Sequence, residues 1–293
     1  MVSYNPKDWF KLIVQFHKSD TFRILFPTMS LLGIVTWAVC FIEKKYLDLE
    51  IPTLTIFHQI AGFIISMVLV FRINTAYDRW WEGRKLWGAL VNNTRNLAIK
   101  LNALVSKSDI ASRSQLHSLI SNFPFALKEH LRNRNTLEDI KFSPVLTEEN
   151  FKKVSHKPNY IARQLTEYCL EITKKNSHTQ NDYLVLSENL NQFTDICGAC
   201  ERIKNTPIPY SYSIFIKKMI FLYIITMPVS FGLTIGYWSI PIVMIMFYAF
   251  ASLELISEEI EDPFGTDSND LPTDELSVKI KENVREILLG DED

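Results

Sequence analysis

Three stretches without a single charged side chain constrain this chain more than any other feature. They run over residues 24–42, 51–71 and 219–253 in a protein of 293 residues in which 22% are charged. An even scatter of charge at that density would interrupt each run several times, so the average composition of a soluble globule misdescribes the chain. At 1.5 Å per residue the first two runs reach about 30 Å as helices, the thickness of a bilayer's hydrocarbon core. The third would be about 52 Å long as one helix, too much for a single crossing. Its interruption, Gly236-Tyr-Trp-Ser-Ile-Pro241, reads as a tight turn between two short crossings. The sequence therefore predicts a multi-pass membrane protein with four transmembrane helices. A cleaved leader is a poor reading of the first run, because Glu43-Lys-Lys-Tyr46 follows it where small residues would mark cleavage.

Four crossings put both termini on one side, and the basic residues say which. Residues 1–23 carry Lys7, Lys11, Lys18 and Arg23, whereas the loop 43–50 offsets two lysines with three acids. Arg72, Arg79, Arg84 and Lys85 crowd the inner end of the second run. Positive charge stays on the cytoplasmic face. The expected arrangement is an inner-membrane protein with a cytoplasmic N-terminal segment 1–23 and two membrane helices within 24–73, the second spanning 51–73. A cytoplasmic region 74–213, two more membrane helices within 214–257 and an acidic cytoplasmic tail 258–293 follow.

The fold class expected is all-α. Between the membrane segments, apolar residues recur at helical spacing over 86–105, 109–134, 159–176 and 181–205, and no stretch alternates as a strand would. No glycine-rich phosphate loop, nucleophile elbow or His-Glu metal spacing occurs, so an enzyme reading has no residues to stand on. A net charge of -2 without a basic stripe gives nucleic acid nothing to bind. Cys197-Gly-Ala-Cys200 has metal-site spacing, but no second such pair and no histidine pair accompanies it in sequence. It reads as two small apolar side chains on one helix.

Within the second run, Phe63, Met67 and Phe71 fall at i, i+4 and i+8 and share one helix face. By spacing alone this is a packing or lipid-facing stripe. The segment after it, Phe71-Arg-Ile-Asn-Thr-Ala-Tyr-Asp-Arg-Trp-Trp-Glu-Gly-Arg84, sets charge and paired tryptophans against the membrane's inner edge. Ile65-Ser-Met-Val-Leu-Val-Phe71 followed by Asp78-Arg79-Trp80-Trp81-Glu82 resembles the neck helix and cytoplasmic junction of the bestrophin family, bacterial branch. Asn122-Phe-Pro-Phe-Ala-Leu-Lys128, Lys157-Pro-Asn-Tyr-Ile161, Glu201-Arg-Ile-Lys-Asn-Thr-Pro-Ile-Pro209 and Asp262-Pro-Phe-Gly265 extend the resemblance over nearly the whole chain.

The resemblance implies a homopentamer in the lipid bilayer that conducts small monovalent ions passively along an axial pore, without a consumed cofactor. Phe63, Met67 and Phe71 would form three rings of a narrow hydrophobic neck. A phenylalanine ring offers a positive edge to an anion and a negative face to a cation, so the neck leaves selectivity open. Bacterial relatives lean towards cations, which sets sodium ahead and keeps chloride as the alternative. A carrier or a non-conducting scaffold is the other class; carriers commonly show paired repeats, and none is visible here.

Three further assignments follow from the resemblance. A second constriction, the aperture, falls at Asn181, with Leu184 the nearest aliphatic alternative. Asp78, Arg79, Trp80, Trp81 and Glu82 would make membrane-junction and subunit contacts, with Asp78–Arg79 and Glu82–Arg84 as ion pairs. In animal bestrophins the loop after Pro-Phe-Gly is a calcium clasp. Asp262, Asp267 and Asp270 keep some of its acids, while Thr266, Ser268 and Asn269 break the run, so a structural loop is the expectation ahead of a calcium site.

Overall fold

A computed structural model describes residues 20–46, 52–175 and 180–290. Lys7, Lys11, Lys18 and Ile51, named above, lie outside the described residues, as do the side chain of Asn181 and residues 47–50 of the 43–50 loop. Among the described residues the chain is helical, with no strand. The helices are α1 (Asp20–Tyr46), α2 (Pro52–Leu104), α3 (Ile110–Leu131), α4 (Glu148–Lys153), α5 (Lys157–Lys175), α6 (Gln180–Asn205), α7 (Tyr210–Ile235), α8 (Ser239–Glu261) and α9 (Thr273–Leu289).

The second apolar run does not end its helix at residue 73, where the sequence reading stopped it. Helix α2 continues unbroken for 53 residues, about 80 Å at helical rise. The physical reason is the absence of a breaker: no proline occurs between Thr53 and Leu104, so the backbone hydrogen bonds run on past residue 73. Helices α7 and α8, by contrast, are separated by the 3-10 turn Gly236–Trp238. Gly236 takes φ +57, a conformation that costs a side-chain-bearing residue, and its N–H closes the helix end on Gly232 O.

The chain divides into two compact units. One holds residues 20–79 and 207–261, that is α1, the first half of α2, α7 and α8. Stretches Thr21–Tyr46, Leu54–Leu104 and Tyr210–Glu261 are long and apolar enough to cross a membrane, the last of them divided at Gly236. The core of this unit joins Ile65 and Leu69 of α2 to Ile216, Ile220, Tyr223, Ile224 and Met227 of α7 and to Val243 and Phe250 of α8. Gly62 lets α2 approach α7 closely, since a Cβ there would sit 2.6 Å from the Tyr223 hydroxyl. His58 is buried between helices, its two ring nitrogens 3.0 Å from Leu54 O and 2.9 Å from the Thr226 hydroxyl, and so has a packing role.

The other unit holds residues 80–206 and 262–290. Its core is a helical bundle in which α3 packs against α9, α5 and α6. Trp87, Leu90, Leu97 and Leu101 of α2 enter that core beside Leu116, Leu119 and Phe123 of α3, and Phe123 meets Phe193 edge to face at 4.7 Å. Helix α3 begins at an Asp109 cap that accepts from Ser112 N at 3.0 Å. Arg113 closes two helix ends together, donating to Val105 O and Leu288 O at 2.7 Å each.

Candidate pore surface

Burial along α2 alternates at helical spacing. His58, Gly62, Ile65, Leu69, Arg72 and Ala76 are buried in their unit, at steps of three and four residues. The opposite face is uncovered. On it Phe63 is 70%, Met67 54% and Phe71 58% exposed, large apolar side chains more than half uncovered among the described residues. The same face continues as Asn74, Asp78 and Trp81, all exposed. An apolar stripe thus gives way to an amide and then a carboxylate along one line of the helix.

The rotation of α2 is set by an ion cluster that the sequence reading did not single out. Arg72, 1% exposed, follows Phe71 directly and points about 100° away from it. Its Nη2 lies 2.8 Å from Glu261 Oε2 and its Nε 3.6 Å from Glu254 Oε2. Glu261 is a hub: Oε1 accepts from Ile208 N at 2.7 Å, and its carbonyl accepts from Arg79 Nε at 3.0 Å. A signal for this cluster existed. Arg72 is the first charge after the second uncharged run and Glu254 the first after the third, so both stand at the same kind of boundary.

The junction residues acquire partners within the chain. Trp80 Nε1 donates to Asn269 O at 2.9 Å, and Glu82 pairs with Arg202 at 2.7 Å where the sequence reading paired it with Arg84. Arg202 sits on α6, brought beside α2 only by the tertiary fold. Trp81 is exposed and stacks on Trp80 at a centroid distance of 6.5 Å.

Of the aperture candidates, Leu184 is an exposed residue of α6, and Asn181 falls in the first turn of that helix. The acidic loop after α8 closes on itself. Asp262 pairs with the ammonium of Lys204. The buried Asp270 accepts the backbone N–H of Asp267 at 2.7 Å, and Leu271 N donates to Pro263 O at 2.9 Å. Calcium asks for six to eight oxygen ligands. Lys204 already engages Asp262 and the Asp270 carboxylate already holds the loop's backbone, so two of the three candidate acids have partners within the chain.

Cys197 and Cys200 are buried free thiols in the other unit's core. Burial, followed by the charge of Glu201, pushes both up, Cys200 to about 12, so they remain neutral and unreactive.

Comparison with known proteins places this architecture. Residues 1–286 match the family described as Bacterial/Fungal Bestrophin protein. A voltage-dependent anion channel-forming protein of Nostoc sp. is 36% identical over 246 residues, covering 78% of this chain and 76% of that protein. One so named from Escherichia coli strain K12 is 30% identical over 280 residues, covering 94% and 90%. Among solved structures, a bacterial bestrophin homologue from Klebsiella pneumoniae superposes with a TM-score of 0.81 at 22% identity, covering 92% of this chain and all of that one. The unbroken α2, the helical units and these matches together make the chain a member of the bacterial and fungal bestrophin family.

Proposed function

We propose that this protein is a bestrophin-type channel that passes small monovalent ions passively along an axial pore in a homopentamer. The observation that carries the proposal is the orientation of α2. The Arg72–Glu261 pair holds one face of the helix inside its own unit, so Phe63, Met67 and Phe71 are left for the axis, where five copies make three apolar rings. Such rings gate by dewetting, and a ring edge or face meets an ion that has shed part of its water. Asn181 or Leu184 supplies a second constriction. The membrane is the inner membrane, crossed four times by each subunit, with both termini in the cytoplasm. The acidic loop is structural.

Sodium is the preferred ion in this reading. No charged side chain lies on α2 between residues 51 and 71, and the first charge on the neck face beyond it is Asp78. Five carboxylates just past the rings would raise the local cation concentration within a Debye length, about 8 Å at physiological salt. The relatives' name, voltage-dependent anion channel-forming protein, favours a second reading, chloride conduction through the same architecture.

Purified protein in a planar bilayer under a tenfold NaCl gradient tests both. A reversal potential near the sodium Nernst value, about 59 mV in magnitude, supports the cation reading, and one of opposite sign establishes the anion reading. No current from a confirmed pentamer removes the channel proposal and leaves a carrier or scaffold.

A further inference from the structure

The fold supplies the histidine pair that the sequence around Cys197 lacks, but sets it on Glu201, one helical turn further along α6. His130 comes from the last turn of α3, and His156 stands immediately before α5. Both imidazoles aim at one carboxylate oxygen: His130 Nε2 is 2.6 Å and His156 Nε2 2.7 Å from Glu201 Oε1. The two rings are 4.4 Å apart between centroids. All three side chains are between a quarter and a third exposed, so an ion from solution can reach them.

We propose that His130, His156 and Glu201 form a binding site for a borderline divalent transition metal ion, zinc being the physiological candidate. The three donor atoms already lie within 4.8 Å of one another. A tetrahedral zinc with ligand bonds of about 2.0–2.1 Å sets its donors about 3.3 Å apart, so each of the two His–Glu201 pairs opens by roughly 0.6–0.7 Å. That is a small side-chain rotation. Two imidazole nitrogens and one carboxylate oxygen are the donors such ions select, whereas hard calcium prefers oxygen alone. The fourth position stays open to water. Beside His130 lies a cavity of about 230 Å³ lined by Asn133, Arg134, Asn135, Ser155 and Lys157, room for that water or a small anion.

Without the metal, both Nε2 atoms face the Glu201 oxygen; with the metal on Nε2, each imidazole carries its hydrogen on Nδ1. At His156 this costs a bond, because Nδ1 accepts the N–H of Asn159 at 3.2 Å in the first turn of α5. The site is therefore weaker than one whose outer nitrogens start as donors. Its effect is to staple the end of α3, the start of α5 and α6, three segments of one unit, and so to stabilise the folded state that alone presents all three ligands.

The test uses the full chain in detergent, stripped with chelator and titrated calorimetrically with zinc chloride. The expected result is one zinc per chain, at least tenfold weaker binding in Glu201→Gln, and loss of stoichiometric binding in the double variant His130→Ala, His156→Ala. Zinc raises the unfolding midpoint of wild type and of Cys197→Ser, but not that of the double variant. X-ray absorption at the zinc edge of the loaded wild type needs no variant: a nitrogen and oxygen shell with imidazole scattering is expected. A sulfur shell, zinc uptake unchanged in the double variant, or no saturable uptake by wild type overturns the proposal.

Discussion

Arg72 Nη2 stands 2.8 Å from Glu261 Oε2 inside the membrane unit, while Phe71, the preceding residue, is uncovered. These two facts are one geometric statement. Neighbours on a helix point about 100° apart, so fixing Arg72 inward turns the 63/67/71 line outward. The pair is also a stability device with a known asymmetry. Two buried charges together are near neutral in free energy, but one alone is expensive.

Replacing Arg72 with alanine leaves the buried Glu254 and the partly buried Glu261 without their counter-charge. The expected loss is about 3–5 kcal/mol, read as a lowered unfolding midpoint of the detergent-solubilised protein. Glu261→Gln costs less, since the amide oxygen still accepts from Ile208 N. The double variant Arg72→Ala, Glu261→Gln falls short of the summed single losses because the two residues share one interaction.

Asp78 tests the origin of cation preference. Asp78→Asn removes one charge per subunit from the exposed continuation of the neck stripe and leaves the apolar rings alone. The reversal potential under a NaCl gradient should move towards zero, and the shift should shrink at high salt as screening shortens the reach of the charge. An unchanged potential at low salt would place the selectivity in the rings instead.

Asp274 sets an acid limit on the helical unit of residues 80–206 and 262–290. A hydrogen bond from Arg132, joined by Lys128, holds its carboxyl well below the usual carboxylate range, against the opposing effect of partial burial. A depressed folded value means that the stabilisation is complete above the unfolded value, near 3.9, and is lost as pH falls through the folded one. Wild type should therefore unfold at a higher temperature than Asp274→Asn at pH 6, with the gap narrowing only below about pH 4.

Chelation with EGTA should leave both conductance and unfolding midpoint unchanged, because Lys204 and the loop's own backbone engage Asp262 and Asp270. Asp270→Ala, which removes the acceptor for Asp267 N–H from a buried position, should destabilise by about 1–3 kcal/mol with or without calcium. A calcium-dependent rise in midpoint would reinstate the clasp.

Local patterns exposed much of this architecture to sequence reading. The uncharged runs located the apolar helices because hydrocarbon length fixes how many residues lack charge, and Gly236 marked the break between α7 and α8 because its backbone departs from helix there. The i, i+4, i+8 spacing put Phe63, Met67 and Phe71 on one face. What escaped depends on contacts between distant segments. Arg72 finds Glu254 and Glu261 only when α2 packs against α8, and Glu82 finds Arg202 in place of the nearby Arg84. The histidines of the proposed metal site lie on different elements, so no spacing rule connects them to Glu201. The length of α2 was missed for another reason: polarity changes at residue 72, but a helix stops only where its hydrogen bonding is interrupted.

The most direct test of the pore is chemical access to the neck face while current is recorded. All four native cysteines are buried, so the wild type should be silent to a charged, water-soluble thiol reagent. Met67→Cys and Phe63→Cys should lose or change current within minutes of exposure, whereas Leu69→Cys, on the buried face of the same helix, should not. Unaffected current at Met67→Cys and Phe63→Cys, or equal modification at Leu69→Cys, would contradict the assignment of this face to an ion pathway.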